Sequence, residues 1–246
     1  MEISEYKNIF ENEEYHFFYV ANSQLIHTLA ANALCFKQKK IRILDAGCGT
    51  GFLAKKLEKL GKVVGVDISS HALHFAKKRA IEVRKASVEK LPFKKNAFDL
   101  VVSVDVIYHK DVLDDKKALK EFFRVLKRKG TLILRVPANK WLRLSHDKFV
   151  HTRQRYSKEE LMTTITSAGF VIEKLTFVNG FLLPLAVIRY VLERMRPKQK
   201  ASSVVTRLPW LFNKALLILL LLENKLVLST GLPFGLGLLA VCRKSK

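Results

Sequence analysis

The sequence predicts an α/β fold, a parallel sheet covered by helices on both faces. Three observations carry that expectation. Short apolar runs of strand length alternate with segments of helical period in the order βαβα. A glycine-rich turn, Asp45-Ala46-Gly47-Cys48-Gly49-Thr50-Gly51, joins the first strand to the helix that follows it. The 246 residues suffice to bury one full core, so a single domain with an elaboration is expected over 1–246.

Along the chain, Phe18, Leu25, Ile26, Leu29 and Leu34 recur at roughly helical spacing and predict a leading helix over 15–35. A basic stretch from Lys37 to Lys40 precedes the short buried strand Ile41-Arg42-Ile43-Leu44. Residues 52–60 read as a helix, Val63-Val64-Gly65-Val66 as a second strand, and 70–79 as a second helix with Ser69 or Ser70 as its N-cap. The strand Glu82-Val83-Arg84, a loop through Leu91-Pro92-Phe93 and a strand over 98–103 continue the alternation. A helix over 115–127, a turn at Gly130 and a strand over 131–136 form the next unit. A helix over 158–168 ends at Gly169, which suits the left-handed position after a helix, and 170–177 is a sixth strand.

The character then changes. Residues 182–191 and 208–222 are strongly apolar and are separated by a basic, polar linker over 193–203. The run 215–222 is too short to span a bilayer, and Lys214 and Glu223 close it off. Residues 226–242 lack charges but contain Ser229, Thr230, Pro233 and several glycines, which argues against a spanning helix.

Lys and Arg number 44 against 22 Asp and Glu, a formal charge of +22 with a pI near 10.0. Such a field favours anionic partners, either nucleic acid or an acidic membrane surface. The lysines are scattered rather than gathered in one arm, so charge alone names no partner. Cys35, Cys48 and Cys242 form no CxxC pair, so neither a disulfide framework nor a zinc or other metal site is expected. The acidic start Met1-Glu2-Ile3-Ser4-Glu5 does not read as a secretory signal, and a cytoplasmic location is expected.

A strand running into a glycine turn that opens a helix lets the backbone approach a ligand closely. The dinucleotide spacing G-x-G-x-x-G would require glycine at position 52, which is Phe; the third glycine is Gly51. Asp45 at the strand end would repel a pyrophosphate but suits a ligand carrying an ammonium and a sulfonium. Those are the charges of S-adenosylmethionine. Asp67 ends the second strand, where an acid can accept both hydroxyls of a ribose.

With these residues in register, the run Ile43-Leu44-Asp45-Ala46-Gly47-Cys48-Gly49-Thr50-Gly51 resembles motif I of the class I S-adenosylmethionine-dependent methyltransferases. Val64-Gly65-Val66-Asp67-Ile68-Ser69 resembles the segment after it, and Ala86-Ser87-Val88-Glu89-Lys90-Leu91-Pro92-Phe93 resembles the family's Gly-Asp-Ala-x-x-Leu-Pro-Phe stretch. Ser87 stands where the family carries an aspartate toward the adenine amino group, and its hydroxyl is still a hydrogen-bonding group. Val136-Pro137-Ala138, Ser145-His146-Asp147 and His151-Thr152-Arg153-Gln154-Arg155-Tyr156 resemble a bacterial subgroup with V-P-A, H-D and H-x-R-x-R-Y signatures. The start Glu14-Tyr15-His16-Phe17-Phe18-Tyr19 is similar to that subgroup's aromatic lid helix, and 232–241 to a last, antiparallel strand.

The resemblance implies a Rossmann-like, seven-stranded, doubly wound sheet with its last strand antiparallel. It also implies lid helices within 1–35 and an apolar helical insertion over 181–225 before the last strand. Cofactor contacts are implied at Asp45, Gly47, Cys48, Gly49, Gly51, Asp67, Ile68, Ser87, Val88 and Ser103.

The methyl of a sulfonium is already activated, so the protein must mainly align donor and acceptor and exclude water. A base is needed only where the acceptor holds its proton. His146, followed by Asp147, is the first candidate, with His109 and His151 beside it; each is as readily a structural loop histidine. Arg153, Arg155 and Tyr156 are candidates to grip an anionic acceptor, or else cap helices and carry surface charge. His16 and Tyr19 are candidate acceptor contacts from the lid.

The expected function is methyl transfer to a small-molecule or lipid-linked acceptor, favoured at oxygen. An RNA methyltransferase, a quinone-pathway carbon methyltransferase and a non-catalytic cofactor-fold protein are the rivals. Nucleic acid is disfavoured because no RNA-binding module is recognisable. The insertion is expected to cap the domain, to form a homodimer interface, or to lie peripherally on an anionic membrane through its arginines and lysines.

Overall fold

Every apolar run expected as a strand lies in one sheet of the computed structural model, which describes residues 2–35, 40–195, 203 and 205–245. The strands are β1 (Arg42–Ala46), β2 (Lys62–Asp67), β3 (Glu82–Lys85), β4 (Phe98–Val104), β5 (Leu126–Pro137), β6 (Phe170–Val178) and β7 (Gly237–Lys244). Their order is β3-β2-β1-β4-β5-β7-β6. Strands β1 to β5 pair in parallel, and β7 runs antiparallel between β5 and β6. This is the predicted Rossmann-like sheet. Its order reverses beside β1, which has β2 on one side and β4 on the other, so a crevice opens beyond the carboxyl end of β1.

The helices are α1 (Ile3–Asn12), α2 (Phe17–Leu34), α3 (Phe52–Leu57), α4 (Ser70–Lys78), α5 (Asp115–Val125), α6 (Ser145–Phe149), α7 (Lys158–Ser167), α8 (Leu183–Met195) and α9 (Trp210–Ser229). Leu119 and Phe122 of α5 and Ile165 of α7 bury against one face of the sheet. Ile26 of α2 and Leu57 of α3 bury against the other. Central strands are covered on both sides, so neighbours such as Ile43 and Leu44 are both fully buried, which is why these strands read as continuous apolar runs.

Four local features differ from the expectation. The leading helix expected over 15–35 is α2, which His16 caps by accepting the Phe18 N–H at 3.3 Å, but a separate α1 that no periodicity marked precedes it. Helix α5 stops at Val125, since the buried Leu126 pairs with Phe98 and a bulge takes up the residues before Thr131. The last strand begins at Gly237 and runs to Lys244. The five-residue helix α6 was not anticipated. Ser69 is the N-cap of α4, its Oγ accepting the Ala72 N–H.

The two insertion helices behave differently. Helix α9 turns Leu220, Glu223 and Val227 inward, and Glu223 accepts backbone N–H groups from Asn179 and, at 2.8 Å, from Phe181. It therefore caps the domain beside α2. Helix α8 buries no residue. Among the described residues no helix is long and apolar enough to cross a membrane. Lys37 and Lys39 of the basic stretch, and Arg196, Lys198 and Lys200 of the linker, lie outside the described residues.

Candidate cofactor and acceptor site

The glycine turn is held from beneath. Gly47 and Cys48 donate to the Val66 carbonyl at 2.8 and 2.9 Å, tying the turn to the end of β2. Gly47, Gly49 and Gly51 all have positive φ, at 88°, 53° and 83°. Gly47 faces inward: a Cβ there would lie 2.2 Å from Val106 Cγ2. Gly49 faces outward, and a Cβ there would meet nothing within 4 Å. The turn thus has a packed side and an open side, and only the open side offers bare backbone to a ligand. The Cys48 side chain turns inward, close to Gly65, so only its backbone faces the cradle.

Two carboxylates stand over that cradle. Asp67 accepts the Gly49 N–H through Oδ2 at 3.0 Å and the Ser69 N–H through Oδ1 at 2.8 Å, so it fixes both the turn and the start of α4. Asp45 is buried, and its Oδ2 has no hydrogen-bond partner among the described residues. Burial, with the Asp67 charge second, pushes its carboxyl up to about 7. Burial also raises Asp67, opposed by its backbone donors. On the neighbouring strand, the fully buried Ser103 has an Oγ that likewise lacks a partner. Orphaned buried polar atoms at the ends of β1 and β4, a pair of acids and an open glycine cradle fit a ligand that brings a cation and hydroxyls. Ile68, beside Asp67, is exposed, Val88 is buried, and Ser87 accepts the Glu89 N–H at 3.2 Å, leaving its own hydroxyl proton available.

A lid closes over this turn. Glu13, after α1, is buried and accepts the Thr50 hydroxyl at 2.6 Å, while Arg79 donates to it at 3.0 Å. Burial pushes the Glu13 carboxyl up to about 7, the Thr50 hydrogen bond and Arg79 opposing. Tyr6 of α1 sits by Ser69 and Asp67, and burial raises its hydroxyl. At the other end of the lid, Glu2 Oε1 lies 3.3 Å from His151 Nε2.

On the acceptor side, Tyr19 is half-buried near Asp105 and Tyr108, and desolvation raises both tyrosine hydroxyls. Asp105 follows β4 with φ of 55°, a left-handed conformation that a non-glycine residue keeps only when its surroundings hold it. Its partner is Arg135, whose guanidinium lies 5.2 Å from the Phe18 ring centre. Burial lowers His16.

The histidines do not form one cluster. His109 and His151 approach with ring centres 5.8 Å apart, and burial brings His109 down to about 4, so it is neutral at physiological pH. His146 stacks instead on Phe149 of its own helix α6. Asp147 turns to Arg155, at 3.0 Å, and accepts the Leu144 N–H at 2.8 Å. Arg155 also donates to the Ala138 carbonyl at 2.9 Å. Tyr156 is buried, its hydroxyl 2.7 Å from Asp115, and Arg153 reaches the Ile107 carbonyl at 3.3 Å. The H-x-R-x-R-Y run therefore clasps the end of β5 to the loop after β4 and to α5.

Sequence reasoning missed Tyr6, Glu13, Asp105 and Tyr108 as site residues. Only Asp105 left a trace, an acid directly after an apolar strand.

Residues 44–134 match the family model described as a methyltransferase domain. A ubiquinone biosynthesis O-methyltransferase of Pelagibacter ubique is 34% identical over 103 residues, 39% of this chain and 42% of that protein. A malonyl-[acyl-carrier protein] O-methyltransferase of Legionella pneumophila is 38% identical over 100 residues, 37% of this chain and 34% of that protein. The alignments thus span less than half of either relative. Over nearly the whole chain the fold is similar to that of an S-adenosylmethionine-dependent methyltransferase of Thermotoga maritima, with a TM-score of 0.61, 22% identity, and 99% and 96% of the two chains covered. The matched segment runs from within β1 to the middle of β5 and carries the glycine turn and both acids, so over this segment the chain is similar to methyltransferase domains.

Proposed function

We propose that this chain transfers a methyl group from S-adenosylmethionine to an oxygen of a small or lipid-linked acceptor. One observation carries the cofactor reading: two acids, one with an orphaned oxygen, face an open glycine cradle at the switch point of the sheet. When bound, S-adenosylmethionine supplies a methyl group already activated toward nucleophiles. Asp67 would hold the ribose hydroxyls, Asp45 the cationic methionine end, and Ser87 with Ile68 the adenine. Helix α1, latched through Glu13, excludes water from the cleft, which strengthens every charge interaction inside it.

Tyr19, Tyr108 and Asp105 line the acceptor side in this reading, with His16 beside them. His146 is the first candidate to take a hydroxyl proton, and His109, held neutral, is the second. The relatives that act at oxygen in ubiquinone and malonyl-carrier chemistry support acceptor oxygen as the atom.

The test is transfer of tritiated methyl from S-adenosylmethionine into a cell extract, followed by separation of organic-soluble, small polar and RNA fractions. Label in the organic-soluble or small-molecule fraction that base releases as methanol, as from an ester, or that hydriodic acid releases as methyl iodide, as from an ether, supports the proposal, and label resistant to both, as on carbon, counts against oxygen as the acceptor atom. Label confined to RNA, or no transfer at all, would overturn it.

A further inference from the structure

We infer that α8 and the start of α9 form a contact surface for an anionic lipid bilayer. The inference rests on the lipid-linked reading of the acceptor and names the partner that would present it. Leu185, Ile188, Leu192 and Met195 fall at spacings of three and four on one face of α8, and all are exposed, Ile188 at 57% and Leu192 at 53%. An amphipathic helix whose apolar stripe is left bare by its own domain has that face available to another phase.

The opposite edge of α8 is anchored. Glu193 accepts the Ser145 N–H at 2.7 Å and the Ser145 hydroxyl at 2.9 Å, and Tyr190 packs edge-to-face on Trp141. The helix is therefore fixed with its apolar stripe outward, not loosely placed.

A second apolar point stands at the start of α9, where Trp210 and Phe212 are each 68% exposed. It too is anchored: Asn213 accepts the Phe17 N–H at 2.9 Å and donates to the Tyr15 carbonyl at 2.8 Å. Helix α8 is thus tied beside α6, near the Glu2 end of the lid, and α9 starts at the joint between α1 and α2. Between them, Asn8 of α1 donates to the Val205 carbonyl at 3.0 Å. The two apolar points bracket α1, the helix that covers the cleft.

Charge selects the occupant. Arg194 and Arg207 flank the apolar residues, and Lys214 lies 4.8 Å from the Trp210 ring centre, the arrangement of cations and interfacial aromatics that suits an acidic headgroup layer. A second copy of a chain with a charge of +22 would meet the same cations and be repelled. A bilayer carrying negative headgroups offers the apolar phase and the opposite charge together.

The experiment is co-sedimentation of the full chain with vesicles of phosphatidylcholine alone or of equal parts phosphatidylglycerol and phosphatidylcholine, at low and high salt. The expected result is binding to the anionic vesicles that weakens with salt. The pairs Ile188→Glu with Leu192→Glu, and Trp210→Ala with Phe212→Ala, should each reduce it by about tenfold or more. Affinity for S-adenosylmethionine should stay unchanged, because these side chains are surface residues away from the cradle. Absence of binding to either vesicle, equal binding to both, or binding untouched by both variant pairs would overturn the assignment. So would a wild-type dimer in light scattering that the same variants dissociate. Label transfer into extract is measured without vesicles, so loss of lipid binding and loss of the methyltransferase reading are separate results.

Discussion

Replacing Gly49 or Gly47 with alanine separates ligand contact from folding within a single turn. At Gly49 the added methyl meets no protein atom within 4 Å, so the folded state bears only the strain of φ at 53°, about 1–2 kcal/mol. In a domain of this size that lowers the melting temperature by roughly 2–8 °C. The same methyl enters the space where the cofactor must touch bare backbone. Overfilling a close contact costs about 1–3 kcal/mol, or roughly a ten- to hundredfold loss of affinity for S-adenosylmethionine. At Gly47 the methyl would lie 2.2 Å from Val106 Cγ2 at φ of 88°, so overpacking adds to strain and the stability loss should be about 2–5 kcal/mol. Thermal denaturation and calorimetric titration of both variants are the assays. A Gly49→Ala protein that binds the cofactor with wild-type affinity would show that the open side of the turn is not the contact, and one that unfolds as readily as Gly47→Ala would show that the turn has no open side.

Two further outcomes follow from the raised carboxyls. Because the folded protein holds the Asp45 proton up to about pH 7, a bound cation must displace that proton, so cofactor affinity should fall as pH drops below about 7, and Asp45→Asn should flatten that dependence in calorimetry. Glu13 and Asp45 both bind protons more tightly folded than unfolded, so their stabilisation is fully present below the ordinary carboxylate range near 4 and is lost as pH rises through about 7. Glu13→Gln should reduce that slope in melting curves of the free protein and, by loosening the Thr50 and Arg79 latch, should speed cofactor release in stopped-flow measurements. An unchanged slope and an unchanged release rate would remove Glu13 from the lid's closure.

The strands were legible because burial on both faces leaves an unmistakable mark. Val63, Val64 and Val66 have no polar alternation to interrupt them, and in β4 the apolar run Leu100-Val101-Val102 is likewise unbroken. Helix α1 was not legible, for the opposite reason: it buries Glu5 and Asn12, polar side chains that periodicity assigns to solvent. The five residues of α6 are too few to show a period. In the site, Gly49 and Asp67 were readable because the chemistry sits in consecutive residues at a strand end. The pairing of Asp147 with Arg155, of Glu13 with Thr50 and Arg79, and of Asp105 with Arg135 depends on which loops the fold brings together, and no spacing encodes it. The insertion shows both cases at once. Its apolar content was plain, but only the packing of Leu220 and Val227 in α9, against the bare stripe of α8, separates a cap from a free surface.

The glycine turn and the acid ending β2 are proposed to hold S-adenosylmethionine. Isothermal titration of the wild-type chain and of Asp67→Ala with that cofactor tests this most directly. The variant gives up the acceptor of the ribose hydroxyls and also the two backbone bonds at 3.0 and 2.8 Å that shape the turn. The expected result is saturable one-site binding to the wild type, competed by S-adenosylhomocysteine, and a loss of about tenfold or more in the variant, as for buried hydroxyls left without a partner at about 1–3 kcal/mol. A wild-type chain that releases no heat and shows no saturation, or a variant that binds as tightly as wild type, would contradict it.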